Sequence, residues 1–271
     1  MTRLNQIPSL SHSEIAPKSP REAKLTNALG RPGGDHGAGV GSGEGGATEA
    51  QNHADSWPPP VSALYRSLKR TTDLAISAIV LAIGAPLWLV IGLVIRVTSP
   101  GPALYSRQVV GKDGRYFTYY KFRSMRAGDD SHHREWLRDF VSSDKAYGEQ
   151  DGTPIFKAID DSRVTPIGKW LRRSSLDEIP QLINVVRGEM SLVGPRPPIV
   201  AEYELYDADM RRRLAVRPGI TGYYQVSARS QVPFSRMLAL DCEYIARRSL
   251  LLDVRIIART PFAMIKGSGA A

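Results

Sequence analysis

Two adjacent carboxylates, Asp177 and Glu178, stand just ahead of Pro180 in the run Ser174-Ser175-Leu176-Asp177-Glu178-Ile179-Pro180. A helix starting near that proline offers unpaired backbone N–H groups and the positive end of its dipole, which favour carboxylates and also phosphate. Two kinds of role are open to the pair. In one, Ser175 is an N-cap and Glu178, three residues on, completes a capping box that serves only to stabilise the helix end. In the other the pair does chemistry. Neighbours in sequence do not flank a glycosidic bond from opposite sides at roughly 5–9 Å, so a glycosidase acid/base pair does not fit. One nucleophile beside one metal ligand suits adjacency better. An ionised Asp can attack phosphorus to give an acyl phosphate, while its neighbour helps to hold Mg2+ against diphosphate oxygens.

Such chemistry needs cations for the transferring group, and the planar fork of arginine grips two phosphate oxygens at once. Arg172 lies five residues before Asp177, Arg196 sits between prolines in Gly194-Pro195-Arg196-Pro197, and Arg217 precedes Pro218-Gly219. Lys121 and Arg123 follow a tyrosine-rich stretch. Any one of these could be a solvated surface charge, but the stiff proline bracket sets Arg196 apart. Other candidates fall away. His132 and His133 are adjacent and lack the i, i+4 spacing that puts two metal ligands on one helical face. Cys242, the single cysteine, excludes a disulfide framework and a cysteine-cluster metal site, and reads as a small buried hydrophobe.

These residues must be positioned by elements that the sequence also outlines. Ala103–Val110 and Arg115–Met125 are rich in Tyr, Phe and Val and are joined through Gly111-Lys112-Asp113-Gly114, which predicts a β-hairpin. Thr165-Pro166 reads as an N-cap followed by proline at the first helical position, with Ile167, Trp170 and Leu171 as the apolar stripe. A second short helix is predicted from about Pro180 until Gly188 stops it. Helical runs follow around Ala201–Ala215 and Ser235–Arg248. The stretch Leu250–Ile265, apolar but interrupted by Arg255 and Arg259, suits either a membrane interface or a surface helix packed on a core.

From Leu74 to Ile95 no residue is charged, and as a helix this run would measure about 33 Å, enough for a membrane. Pro86 beside Gly84 should bend or break it. Basic residues flank both ends, Arg66, Lys69 and Arg70 before it and Arg96, Arg107 and Lys112 after it, whereas a simple crossing favours one side. A re-entrant hairpin and a spanning helix both remain open on composition. Residues 1–60 are rich in Gly, Ser, Pro and Ala and predict a disordered tail without a secretory leader, and their glycines lack the strand and Gly-Lys-Ser/Thr of a phosphate loop. The net charge of +9 over 271 residues calls for anionic lipid, nucleic acid or phosphorylated ligands and does not choose among them.

Seven ordered segments together resemble a known family. They are Lys69-Arg70-Thr71-Thr72-Asp73, Ser99-Pro100-Gly101-Pro102, Tyr120-Lys121-Phe122-Arg123-Ser124-Met125, Thr165-Pro166-Ile167-Gly168-Lys169, Ser175-Leu176-Asp177-Glu178-Ile179-Pro180-Gln181-Leu182, Ser191-Leu192-Val193-Gly194-Pro195-Arg196-Pro197 and Val216-Arg217-Pro218-Gly219-Ile220-Thr221-Gly222. Over about residues 66–266 the chain is similar to the bacterial sugar transferases, monotopic polyprenyl-phosphate hexose-1-phosphate transferases. The resemblance implies an α+β, mostly helical monotopic membrane protein, with a re-entrant helix-break-helix at about 69–97, a small β-hairpin and interfacial amphipathic helices. It divides the chain into a tail, 1–62, and a transferase domain, 63–271.

By the same resemblance Asp177 is the nucleophile, Glu178 stands beside it, and both meet Mg2+. A covalent phospho-aspartate forms as UMP leaves a UDP-sugar, and undecaprenyl phosphate then takes the sugar phosphate. Lys121, Arg123, Arg172, Arg196 and Arg217 are the expected substrate-binding cations. The expected place is the cytoplasmic face of the bacterial inner membrane, in contact with lipid and without nucleic acid, at the first membrane step of exopolysaccharide or related glycan synthesis. A homodimer is left open. Two positions depart from the pattern: Ala85 precedes the breaking proline where serine is frequent, and Ala228 stands where glycine is usual. A basic, membrane-anchored binding protein is the competing reading, and it would need no carboxylate dyad.

Overall fold

The computed structural model describes residues 57–126, 128, 131–144, 148–150, 153–155, 163–228 and 232–266. All of them lie in one of the chain's two compact units, Gly41–Ala271. The expected disordered tail falls mostly outside the described residues. Its last part packs on the folded unit: the Trp57 indole donates to the Arg212 carbonyl at 3.0 Å and the Arg212 guanidinium lies 4.4 Å from the ring centroid.

Helix α1, Ala63–Thr98, starts where the Ser62 hydroxyl accepts from the Tyr65 N–H, and runs unbroken through Pro86. The expected break is therefore a bend within one helix. Trp88 shows its size, because its indole Nε1 donates to the Val80 carbonyl at 3.2 Å. Eight residues of straight helix separate those positions by about 12 Å, farther than an indole reaches. The ring folds back over Gly84, where a Cβ would lie 2.3 Å from it. Proline removes a backbone donor and opens the helix, glycine makes room on the inside, and the indole closes over it.

The bend brings both halves of α1 onto the same unit. Before it, Asp73 accepts from the Ser191 hydroxyl at 2.8 Å and the Leu192 N–H at 3.1 Å, and Arg70 donates to the carbonyls of Val185 and Val186. After it, Ile91 and Ile95 are buried with Phe122 and Leu171. A helix held on one folded body at both ends enters and leaves a membrane on the same side. Its outward residues are apolar and bare, with Ile83 78% and Leu89 75% exposed, and this surface associates the chain with a membrane.

The remaining elements follow the sequence closely in the middle of the chain. Strands β1, Leu104–Val110, and β2, Tyr116–Phe122, pair antiparallel with Leu104 opposite Phe122. Helix α2 covers Ser131–Ser143, and a second small hairpin pairs β3, Gly148–Gln150, with β4, Thr153–Ile155. Helix α3, Pro166–Ser174, has the expected cap, the Thr165 hydroxyl accepting from the Gly168 N–H at 3.0 Å. Trp170, expected in its apolar stripe, is instead exposed. Helix α4, Gln181–Arg187, ends at Gly188, whose φ of 84° is the left-handed cap.

The run around Ala201–Ala215 is not one helix but α5, Val200–Tyr203, and α6, Ala208–Arg211, followed by a 3-10 turn. Asp207 interrupts it as the N-cap of α6, accepting from the Met210 N–H. Strands β5, Ser191–Val193, and β6, Gly219–Thr221, form a parallel pair that three residues of sequence could not announce. Helices α7, Tyr223–Ser227, α8, Phe234–Arg247, and α9, Leu250–Lys266, complete the unit. Cys242 is free and buried on α8.

Candidate active site

Helix α3 ends at Ser175, whose left-handed backbone (φ 53°) turns the chain into a 3-10 turn, Leu176–Glu178. The Ser175 side chain makes no capping hydrogen bond, so the capping box does not form and Glu178 is released for other contacts. Leu176 and Ile179 pack against the cluster of Ile91, Ile95, Phe122 and Leu171. The dyad is thereby fixed at the foot of the membrane helix. Asp177 is buried and Glu178 half-buried.

Strand β2 brings a cation to them. The Lys121 ammonium lies 2.7 Å from Glu178 Oε1 and 3.7 Å from Asp177 Oδ2. Burial works against its charge, but Glu178, Tyr119 and Asp177 outweigh it and raise the ammonium above its ordinary value, so it stays protonated. Tyr119, two residues back on the same face of β2, lies under it with 5.5 Å from ammonium to ring centroid. The Tyr119 hydroxyl accepts from the buried Gln181 side chain at 3.1 Å. Tyr119 and Gln181 were not singled out in the sequence. The period of two along β2 pairs Tyr119 with Lys121, but only the fold shows that this face meets α4.

The arginines separate. Arg123 donates to the carbonyls of Pro100 and Ser99 and to the Ser99 hydroxyl, all within 2.7 Å. It clamps the corner after α1, a structural role that the sequence reading did not assign to it beside the expected contact with substrate. Arg196 is exposed on the loop after β5. Desolvation opposes its charge, yet Glu202, Tyr119, Tyr224 and Glu178 raise its guanidinium above the ordinary value, which puts it in the electrostatic reach of the dyad. Arg172, on α3, and Arg217, exposed before β6, make no side-chain hydrogen bond or ion pair among the described residues.

The proline bracket around Arg196 is held from both sides. Gly219 N–H donates to the Pro195 carbonyl at 2.8 Å and Gly194 N–H to the Thr221 carbonyl at 3.0 Å. The strands approach so closely that a Cβ on Gly219 would lie 2.1 Å from the Gly194 nitrogen. Behind the loop, Arg213 donates to the Arg196 carbonyl at 3.1 Å and pairs with Asp241 at 2.6 Å, while Tyr206 joins it to Glu202.

Over most of its described length the chain is similar in sequence to known proteins. A model of the family described as bacterial sugar transferase matches residues 64–267. The chain belongs to this family. Among its relatives, the transferase is 43% identical over 171 residues to the galactosyl transferase CpsE of Streptococcus agalactiae, covering 63% of this chain and 36% of that one. It is 40% identical over 209 residues to the undecaprenyl-phosphate galactose phosphotransferase of Salmonella typhimurium, covering 76% and 42%. It is 39% identical over 202 residues to the exopolysaccharide production protein ExoY of Sinorhizobium fredii, covering 74% and 87%. The chain thus spans less than half of the first two relatives and most of the third.

The described residues hold no cluster of three or more His, Cys, Asp or Glu fit for a metal ion. Mg2+ ordinarily takes one or two carboxylates and completes its shell with water and substrate phosphate, so Asp177 and Glu178 are the residues that could hold such an ion.

Proposed function

We propose that this bacterial sugar transferase moves hexose-1-phosphate from a UDP-sugar to undecaprenyl phosphate and releases UMP. The observation that carries the reading is the Asp177–Glu178–Lys121 cluster standing on the residues that pack against Ile91 and Ile95 of the membrane helix. A reaction between a soluble nucleotide sugar and a lipid-borne phosphate needs its charged site at that boundary. The relatives' names, which include undecaprenyl-phosphate galactose phosphotransferase and UDP-glucose:undecaprenyl-phosphate glucose-1-phosphate transferase, support the substrate classes.

In this reading an ionised Asp177 oxygen attacks the phosphorus that bears the sugar. The bond from that phosphorus to the bridging oxygen breaks, UMP leaves with the electron pair, and an aspartyl sugar phosphate remains. An oxygen of the lipid phosphate then attacks the same phosphorus, regenerating the Asp177 carboxylate and forming polyprenyl diphosphate sugar. Asp177 and Glu178 would hold Mg2+, which supplies charge neutralisation for the diphosphate when bound. Lys121 balances the charge of the dyad, and Arg196, with Arg172 and Arg217, meets phosphate oxygens. The reaction belongs on the cytoplasmic face of the inner membrane, where nucleotide sugars are available, as the first membrane step of exopolysaccharide or related glycan synthesis.

UMP release by nanodisc-embedded protein with Mg2+, undecaprenyl phosphate and a panel of UDP-sugars tests this. Wild type is expected to release UMP with one or a few donors and Asp177→Asn with none. No release with any donor would favour a membrane-anchored binding protein.

A further inference from the structure

Lys121 occupies a particular place. Its ammonium is 2.7 Å from one carboxylate of the dyad and 3.7 Å from the other, so it bridges the two groups proposed to hold Mg2+. A divalent ion bound by both carboxylates lies about 2.1 Å from their oxygens and so would press against an ammonium left in that position. Two cations cannot share the gap without strong repulsion, which a half-buried setting screens poorly. The lysine can yield. It is a compact charge on a flexible four-carbon stem, and its side chain keeps 25% of its surface open. The Tyr119 ring, steadied by Gln181, offers the ammonium a second partner beside the dyad.

We propose that Lys121 is a displaceable internal counter-cation of the dyad: it neutralises Asp177 and Glu178 before substrate arrives and withdraws onto the transferring phosphate as the metal enters with the diphosphate. This rests on the Mg2+ reading above. The arrangement makes metal and nucleotide sugar enter together. Metal alone must compete with a tethered lysine, whereas metal carried with a diphosphate brings the negative charge that draws the lysine away. It also keeps the nucleophile paired, and so unreactive, between turnovers.

The test is binding of Mn2+, as a spectroscopic probe for Mg2+, to the full chain in nanodiscs without nucleotide, read by electron paramagnetic resonance. Lys121→Met is expected to bind Mn2+ on the order of tenfold or more tightly than wild type, because a competing charge is gone. That gain should vanish when Glu178→Gln is added, and UMP release should fall in Lys121→Met despite the tighter metal. Equal or weaker binding by Lys121→Met, still abolished by Glu178→Gln, would overturn the displacement and leave Mg2+ at the dyad. If UDP-sugar induces no Glu178-dependent Mn2+ binding in wild type and Lys121→Met binds none, the Mg2+ reading fails and the proposal with it. Lys121→Gln provides the same comparison if the methionine variant does not fold.

Discussion

Asp177 owes its position to its neighbours. Ser175 turns the chain through a left-handed residue, Leu176 and Ile179 anchor the turn in the core, and Lys121 arrives from a strand 56 residues earlier in sequence to meet the carboxylates. Arg196 depends on glycines in the same manner. Gly219→Ala would drive a methyl group to 2.1 Å from the Gly194 nitrogen and 2.4 Å from the Thr221 carbonyl oxygen, and backbone on both sides cannot move aside. A loss of about 1–3 kcal/mol or more is expected, read as a lower melting temperature, with activity falling further than stability because the Arg196 loop shifts. The place of the dyad just ahead of a short helix was legible in its spacing. The work of Arg123 was not, because a positive residue two places from Lys121 looks the same in sequence whether it meets phosphate or the Ser99 and Pro100 carbonyls.

Helix α1 joins the membrane to the site. Asp73 receives two hydrogen bonds from β5, one from the Ser191 hydroxyl and one from the Leu192 backbone, and both donors are buried. Asp73→Ala would leave them without an acceptor, at a cost of about 1–3 kcal/mol for each. A thermal shift in detergent should show this loss, while Thr72→Ala, at an exposed position one residue away, should leave the midpoint nearly unchanged. The length, apolarity and proline of α1 were evident from composition. Its re-entry was not decidable there, because the deciding contacts join Asp73 to Ser191 and Ile95 to Leu171, across most of the fold. The run after Val200 misled for a related reason: Glu202, Tyr206 and Arg213, spaced i, i+4 and i+11, would share one face of a single helix, whereas the Asp207 cap divides the run and the three meet across that break.

The assembled molecule sets the dyad at the base of the apolar helix and carries a buried ionic network behind the Arg196 loop. In that network burial, ahead of the attraction of Arg213, lifts the Asp241 carboxyl to about 6, whereas an aspartate in an unfolded chain titrates near about 3.9. Between these values the folded state binds the extra proton, so this group's contribution is fully present below about pH 4 and is lost as pH rises through about 6. Unfolding of wild type across that window should contain this falling component, and Asp241→Asn, which has no carboxyl to titrate, should lack it. The apolar bend carries a separate expectation. Ile83→Arg places a charge on its most exposed apolar position and should weaken membrane retention in salt- and carbonate-washed fractions, at a cost of about 2.5–3.5 kcal/mol if the site lies at bilayer depth.

The central claim is that Asp177 carries the sugar phosphate between donor and lipid. Mass spectrometry of the protein incubated with Mg2+ and its UDP-sugar, without polyprenyl phosphate and quenched in acid, reads it directly. A sugar-phosphate adduct is expected on the peptide containing Asp177, absent from Asp177→Asn and discharged when undecaprenyl phosphate is added. Turnover in the complete reaction with no adduct at Asp177, or an adduct that persists in Asp177→Asn, would contradict it.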